Sequence, residues 1–423
     1  MYRRVAAMSE TNGQSRQHTG GDLLVRQGRL YTPEGFIDDG SVVISAGRIV
    51  FAGADGSLPT NLEVPWTGKN VRVTDLPVIE ARDYIITPGF IDVHMHGGAG
   101  HDLMDGRLDS LQEMAAAHGR HGTTSLLAGA VTASQEALEA VAEMVKEAMD
   151  VSRQVEWGGA QVLGFHLEGP YINLEKVGAQ NPAYVRSPSK DEIERLMEIL
   201  GSGLRIITLA PEVPGALEVI PWLRERRVCV SLGHTAASYE EAMEAIAAGA
   251  DHATHIFNAM GPLHHRDPGV VGAVLATPEV TAELIADGIH VHPGAMRVVW
   301  RAKGSSRICL VTDSGMAMDM PDGRYVLGEL PVEVKDGVAR LVEGGALASS
   351  TLGMDQAVRN MVELVGVPLE EALKMATAVP ARQIGMSERK GSVEVGKDGD
   401  LCLLGPDLLC QRTIVGGRLL PRD

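Results

Sequence analysis

The chain has 423 residues, 44% of them hydrophobic, enough to bury one large core beside a smaller one. Its formal charge of −17 argues against nucleic acid and anionic membrane surfaces as partners, because both require clustered Lys and Arg. A small phosphorylated ligand stays open, since it needs only one or two local donors.

In chain order, residues 1–20 are polar and rich in Gly, Ser and Gln. They carry basic residues but no apolar stretch of the kind a signal peptide needs, and are expected to be a disordered tail, with Met8 as an alternative start. Residues 21–84 hold short alternating or apolar runs with Gly and Asp at the turns, which predicts strands. Between those runs, 54–70 (ADGSLPTNLEVPWTGKN) reads as a loop by its Pro, Gly and Asn.

From residue 85 the texture becomes strand–helix alternation. A strand over 85–96 precedes a helix over 108–122, the strand TTSLLAGAV (123–131) and an amphipathic helix over 133–150. Further strands follow at 162–169, 205–212, 228–234, 252–257, 281–288 and 308–313, with helices between most of them. This repetition predicts a closed (β/α)8 barrel over 85–385. The segment 324–342 reads as a β-hairpin with a Lys-Asp-Gly turn, and helices are expected at 354–365, 368–377 and 379–385. The tail is β-rich again, so 21–84 and 386–423 are expected to join as a small β-sandwich. No apolar run reaches the ~18 residues of a membrane span. Cys229, Cys309, Cys402 and Cys410 show no C-x-x-C spacing and read as reduced packing residues. The expected setting is cytoplasmic.

The chemistry lies where the apolar runs end. IITPGFIDVHMH closes on His94 and His96, VLGFHLEG carries Glu168, VCVSLGH ends on His234, HATHIF carries His255, and ICLVTD ends on Asp313. In a (β/α)8 barrel the C-terminal strand ends build the active site. On a strand, residues i and i+2 face one side, so both imidazoles of His94 and His96 can share a cation. Glu168, His234 and His255 make a three-donor set that leaves a position open, the pattern of a catalytic metal site. Taken singly, each histidine reads more readily as a packed core residue than as a ligand. Asp313 beside such a site can accept a proton from water and hand it to a leaving group.

The motifs PGFIDVHMHG (88–97), HLEGPYIN (166–173), SLGHTAAS (231–238), THIFNAMGPLHHRDPGVVGA (254–273), IADGIHVHP (285–293), LVTDSGMA (310–317) and TLGMDQAVRNMVELVG (351–366) resemble the amidohydrolase superfamily. Within it they are similar to the N-acetylglucosamine-6-phosphate deacetylases, with NAM-x-PLHHR-x-PG the most distinctive stretch. The resemblance implies hydrolysis of the N-acetyl group of N-acetylglucosamine 6-phosphate to acetate and the amine. It implies a main metal on Glu168, His234 and His255, and a second on His94 and His96 bridged through Glu168. Asp313 would be general base and then general acid. Asn258, the Ala259 backbone, Arg266 and His290 would contact the sugar phosphate, Arg266 from the partner subunit of a homodimer. Zinc, iron, manganese and cobalt all suit such donors.

Two positions depart from the family. Gln180, in EKVGAQNP, stands where a histidine usually polarises the substrate carbonyl; as a neutral amide it can still donate a hydrogen bond. Ser349, in LASS, replaces a glycine and is expected to alter that loop. Gln180 motivates a second reading, the same chemistry on another N-acyl substrate such as N-acetylgalactosamine 6-phosphate. A third is a catalytically silent barrel with an assembly role, against which stands the survival of the whole donor set.

Overall fold

The computed structural model describes residues 21–421. The tail expected over 1–20, Met8 included, lies outside the described residues. Eight parallel strands bond side by side in chain order: Phe90–Asp92, Thr123–Ala130, Gln161–Glu168, Leu204–Leu209, Cys229–Leu232, His252–Ala253, Thr281–Ile285 and Ile308–Val311. Just beyond the strands, the first and last are joined. The Asp313 N–H donates to His94 O and the His96 N–H to Ser314 O, each at 2.8 Å. The Thr312 hydroxyl adds a 2.6 Å bond to the Asp92 carboxylate. The result is the (β/α)8 barrel that the alternation predicts.

Strands buried on both faces need continuous apolar or satisfied residues, and Thr123–Ala130 and Gln161–Glu168 are buried at every position. The helices between them begin with side-chain caps. The Ser134 hydroxyl accepts the Ala137 N–H to start Gln135–Val151, and a Ser238–Glu241 capping box starts Tyr239–Ala248.

The single strand expected over 85–96 is split. Ile85–Pro88 pairs with Leu23–Thr32 and Leu401–Leu404, whereas Phe90–Asp92 pairs with Thr123–Ala130 in the barrel. The break falls at Gly89, where a Cβ would lie 2.1 Å from Thr124 Cγ2. Only glycine lets the chain pass this close to the neighbouring strand while changing sheets. Residues 93–96 are then not strand at all, so His94 and His96 are presented by an irregular segment.

Segments from both chain ends share one further sheet, built from Leu23–Thr32, Gly35–Ser45, Arg48–Ala54, Val78–Glu80, Ile85–Pro88, Leu401–Leu404, Cys410–Val415 and Arg418–Leu419. Its residues alternate between two apolar faces: Val25, Val42, Ile44 and Leu401 on one, Leu24, Val43 and Val50 on the other. The second face is covered by residues 61–72, of which 61–70 were expected to be loop. They form the hairpin Asn61–Val64 and Lys69–Arg72, turned at Gly68 with φ +65° and anchored by buried Val64. Its few apolar residues sufficed because a sheet lay ready to bury them.

The segment after the barrel makes three antiparallel strands, Gly323–Leu327, Leu330–Lys335 and Val338–Leu341, with the Asp336–Gly337 turn where the sequence puts it. This small sheet overhangs the C-terminal mouth of the barrel. Asn181, on the loop after Glu168, holds its first turn by donating to Glu329 at 2.8 Å. All four cysteines are free and buried. Among the described residues, no helix is long and apolar enough to cross a membrane.

Candidate metal centre and active site

The structure brings together the six residues that end the apolar runs. Glu168 stands at the centre. Its Oε1 lies 3.2 Å from His234 Nε2, 3.0 Å from His255 Nε2 and 3.4 Å from His94 Nε2. Its Oε2 lies 3.2 Å from His96 Nε2. The ring nitrogens also face each other, 3.1 Å apart in the His94–His96 pair and 3.2 Å in the His234–His255 pair. Asp313 Oδ1 completes the cluster, 3.2 Å from His96 Nε2 and 3.5 Å from His94 Nε2.

What holds the rings is as telling as where they point. His96 Nδ1 donates to Gly129 O at 2.8 Å, and His234 Nδ1 donates to Lys176 O at 2.9 Å. A carbonyl can only accept, so each of these rings carries a hydrogen on Nδ1 and, when neutral, turns the Nε2 lone pair inward. Gly129 must be glycine for this, since a Cβ there would sit 2.6 Å from Met95 O. Lone pairs and carboxylates crowded this closely repel unless positive charge lies among them. The titration behaviour agrees. Burial pushes Glu168 upward, but His94 and His234 outweigh it and hold the carboxyl well below the usual range. Burial lowers His96, yet contacts with Asp313 and Glu168 raise it to about 10. The cluster therefore favours cationic charge, and its donors form two sets sharing Glu168, His94–His96–Glu168 and Glu168–His234–His255, with a third group, His94–His166–Glu283, behind them. Both sets fit a divalent metal.

Three of these residues hold left-handed backbone: His234 at φ +48°, His255 at +25° and Asp313 at +48°. Each lies two residues beyond the end of its strand. Such conformations cost on the order of 1–3 kcal/mol apiece in non-glycine residues and persist where the surroundings impose them. Here they stop the strand and swing the side chain inward.

The profile of the Amidohydrolase family matches residues 85–420, which carry every donor named above. The chain belongs to the amidohydrolase family. Similar relatives include the N-acetylgalactosamine-6-phosphate deacetylase of Escherichia coli O157:H7, 39% identical over 94% of this chain and 98% of that one. The N-acetylglucosamine-6-phosphate deacetylase of Vibrio furnissii is 41% identical over 79% of this chain and 82% of its own. Among solved structures, a mutant N-acetyl-D-glucosamine-6-phosphate deacetylase from Mycobacterium smegmatis, in complex with N-acetyl-D-glucosamine-6-phosphate, superposes with a TM-score of 0.85. It is 32% identical and covers 95% of this chain and all of that one.

In this amidohydrolase, a cavity of about 250 Å³ opens above the cluster, lined by Gln180, Asn258, Ala259, His290, Leu327 and Ser349 as well as every donor but His94. Gln180 is clamped at both ends. Its Oε1 accepts the Thr132 N–H at 2.6 Å, which fixes the amide orientation, and its Nε2 donates to Glu168 Oε2 at 2.6 Å. One amide hydrogen is thus committed to the central carboxylate. Asn258 donates to His255 O at 3.2 Å. His290 Nδ1 lies 2.6 Å from Asp287 Oδ2, and although burial opposes charge on the ring, this contact raises its pKa. Ser349 adopts φ +54°, the left-handed conformation open to glycine, so the chain turns here despite the substitution.

Arg266 is the predicted residue the structure keeps apart. It is exposed on the loop before Gly269–Ala276, and its guanidinium lies 2.8 Å from His265 Nε2. It does not line this chain's own cavity. The residues missed from sequence are those behind the donors: Asp92, His166, His252 and Glu283, all fully buried. Their one signal was a polar side chain inside an apolar strand, which must be satisfied to be tolerated.

Removal of divalent metal by a chelator is expected to lower the thermal unfolding midpoint by several degrees, with zinc or cobalt restoring it. A midpoint indifferent to both, in protein shown by elemental analysis to have carried metal, would count against a cation in this cluster.

Proposed function

We propose that this chain removes the N-acetyl group of N-acetylglucosamine 6-phosphate, giving glucosamine 6-phosphate and acetate. The observation that carries the reading is the meeting, at the floor of one cavity, of the Glu168-centred donor cluster with Asp313, beneath walls bearing Asn258 and His290. The relatives named above act on acetamido sugar phosphates of this kind.

Glu168, His234 and His255 would hold one cation and His94 with His96 a second, zinc or iron, with manganese and cobalt as competitors. Bound there, the metal supplies Lewis acidity that acidifies water and polarises the amide carbonyl. Asp313 does the proton work. Held ionised by His94 and His96 against its burial, it takes a proton from the attacking water. It then delivers that proton to the departing nitrogen as the C–N bond breaks. Gln180 keeps Glu168 aligned and offers its second amide hydrogen towards the cavity. Asn258, the Ala259 backbone and His290 receive the sugar phosphate. We assign Arg266 to the partner subunit's cavity in a homodimer, which its exposure and its distance from its own site support. A guanidinium fork there suits phosphate oxygens.

A second reading has its own support, since the E. coli relative is named for the galactosamine epimer. Acetate release from the two N-acetylhexosamine 6-phosphates and their unphosphorylated forms separates the possibilities. We expect the phosphorylated glucosamine derivative to be turned over fastest; a preference for its epimer reassigns the substrate, and turnover of neither by metal-loaded protein refutes the deacetylase. Asp313→Asn should lower kcat by about 10²–10⁴-fold at unchanged metal content, and near-full activity would remove Asp313 from the proton path. Arg266→Ala should raise KM for the phosphorylated sugar at least tenfold and leave the unphosphorylated one unaffected. Equal effects on both would show that it does not read phosphate.

A further inference from the structure

We propose that Glu283 is a positioning residue that fixes the ligating tautomer of His94 and ties the two donor sets to each other, an inference that rests on the reading of the cluster as a metal centre. Glu283 lies in the strand Thr281–Ile285 between Ala282 and Leu284, with no exposed surface. A carboxylate in such surroundings is tolerated only with strong partners. It has three. Oε2 lies 2.8 Å from His94 Nδ1 and 3.1 Å from the His255 N–H, and Oε1 lies 3.0 Å from His252 Nε2. A single oxygen thus holds the ring of a donor from one set and the backbone of a donor from the other.

The chemistry follows from what an ionised carboxylate can do. It only accepts, so His94 must carry its hydrogen on Nδ1 and present the Nε2 lone pair to the cluster. His96 and His234 obtain the same tautomer from neutral main-chain carbonyls, and His255 Nδ1 has no hydrogen-bond partner among the described residues. Of the four ring donors, His94 is therefore the one backed by a charge, which also makes its imidazole a stronger electron-pair donor. The bond to the His255 N–H acts on the other set. His255 has φ +25°, and the anchored amide holds that residue where its ring reaches Glu168. The nearby His166 does not compete for a cation with Glu283. Its Nδ1 lies 3.1 Å from Val93 O and its Nε2 2.8 Å from Thr208 Oγ1, so both nitrogens are engaged.

Two substitutions separate charge from shape. Glu283→Gln keeps an acceptor for His94 Nδ1 and the His255 N–H but removes the charge. Glu283→Leu removes the acceptor. Cobalt titration against a competing chelator, with stoichiometry from native mass spectrometry, should show about tenfold weaker cobalt binding in the Gln variant. The Leu variant should lose at least one bound ion per chain. Ring ¹⁵N spectra of metal-free protein, taken at a pH alkaline enough to leave the ring neutral because, against its burial, the neighbouring carboxylates raise its pKa, should place the single His94 hydrogen on Nδ1 in the wild type and shift it towards Nε2 in the Leu variant. Wild-type cobalt affinity in the Gln variant, or a His94 hydrogen on Nε2 in the unaltered protein, would overturn the proposal; if the Leu variant does not fold, the Gln variant decides. Should the wild type bind no divalent cation, the metal reading falls, and the ¹⁵N spectrum still decides whether Glu283 sets the tautomer.

Discussion

Everything at the mouth of this barrel is organised around the mutual repulsion of inward-facing electron pairs. Four imidazole nitrogens and the carboxylates of Glu168 and Asp313 converge within hydrogen-bonding distance of one another. Left to themselves in water, those side chains would rotate apart. Four of them stay because they are held from behind by an acceptor or donor they cannot easily exchange: His96 by Gly129 O, His234 by Lys176 O, His94 by Glu283 and Glu168 by Gln180. The scaffold supplies the constraint, and a cation makes the arrangement favourable rather than merely enforced.

That division of labour spreads the support of the site over several elements. The supporting groups sit on strands or loops other than those of the donors they hold, so no donor is positioned by its own element alone. Left-handed backbone at His234, His255 and Asp313 has the same origin. Strand geometry would alternate side chains across the sheet, and a tight break after the strand redirects them into one space. The local strain is maintained by closure bonds such as Asp313 N–H to His94 O.

Above this floor, the cavity walls come from less regular structure. The loop carrying Gln180, the segment around Asn258 and the first strand of the small sheet, which ends at Leu327, belong to separate excursions from the barrel. A residue on such a loop can change without disturbing a strand. Gln180 and Ser349 are such changes. The structure accommodates the first by a clamp to Thr132 and Glu168, and the second by letting a serine take a glycine-like turn.

The sequence by itself determined the barrel, the order of its strands and which six side chains meet at its mouth, because each is written locally. Apolar runs specify buried strands, and six His, Glu and Asp residues at the ends of five such runs point to one site although each alone could be a packed core residue. Only the tertiary structure decided the break at Gly89, the hairpin over 61–72 and the shell behind the donors. Gly89 depends on Thr124 from another strand, the hairpin on a sheet partly built from the far end of the chain, and Glu283 on His94, 189 residues away. The tautomer of each histidine and the isolation of Arg266 from its own cavity depend on such distant partners too. A hydrogen bond between segments brought together only by folding leaves no periodicity in the sequence, so its residues are legible only as polar groups awaiting an explanation.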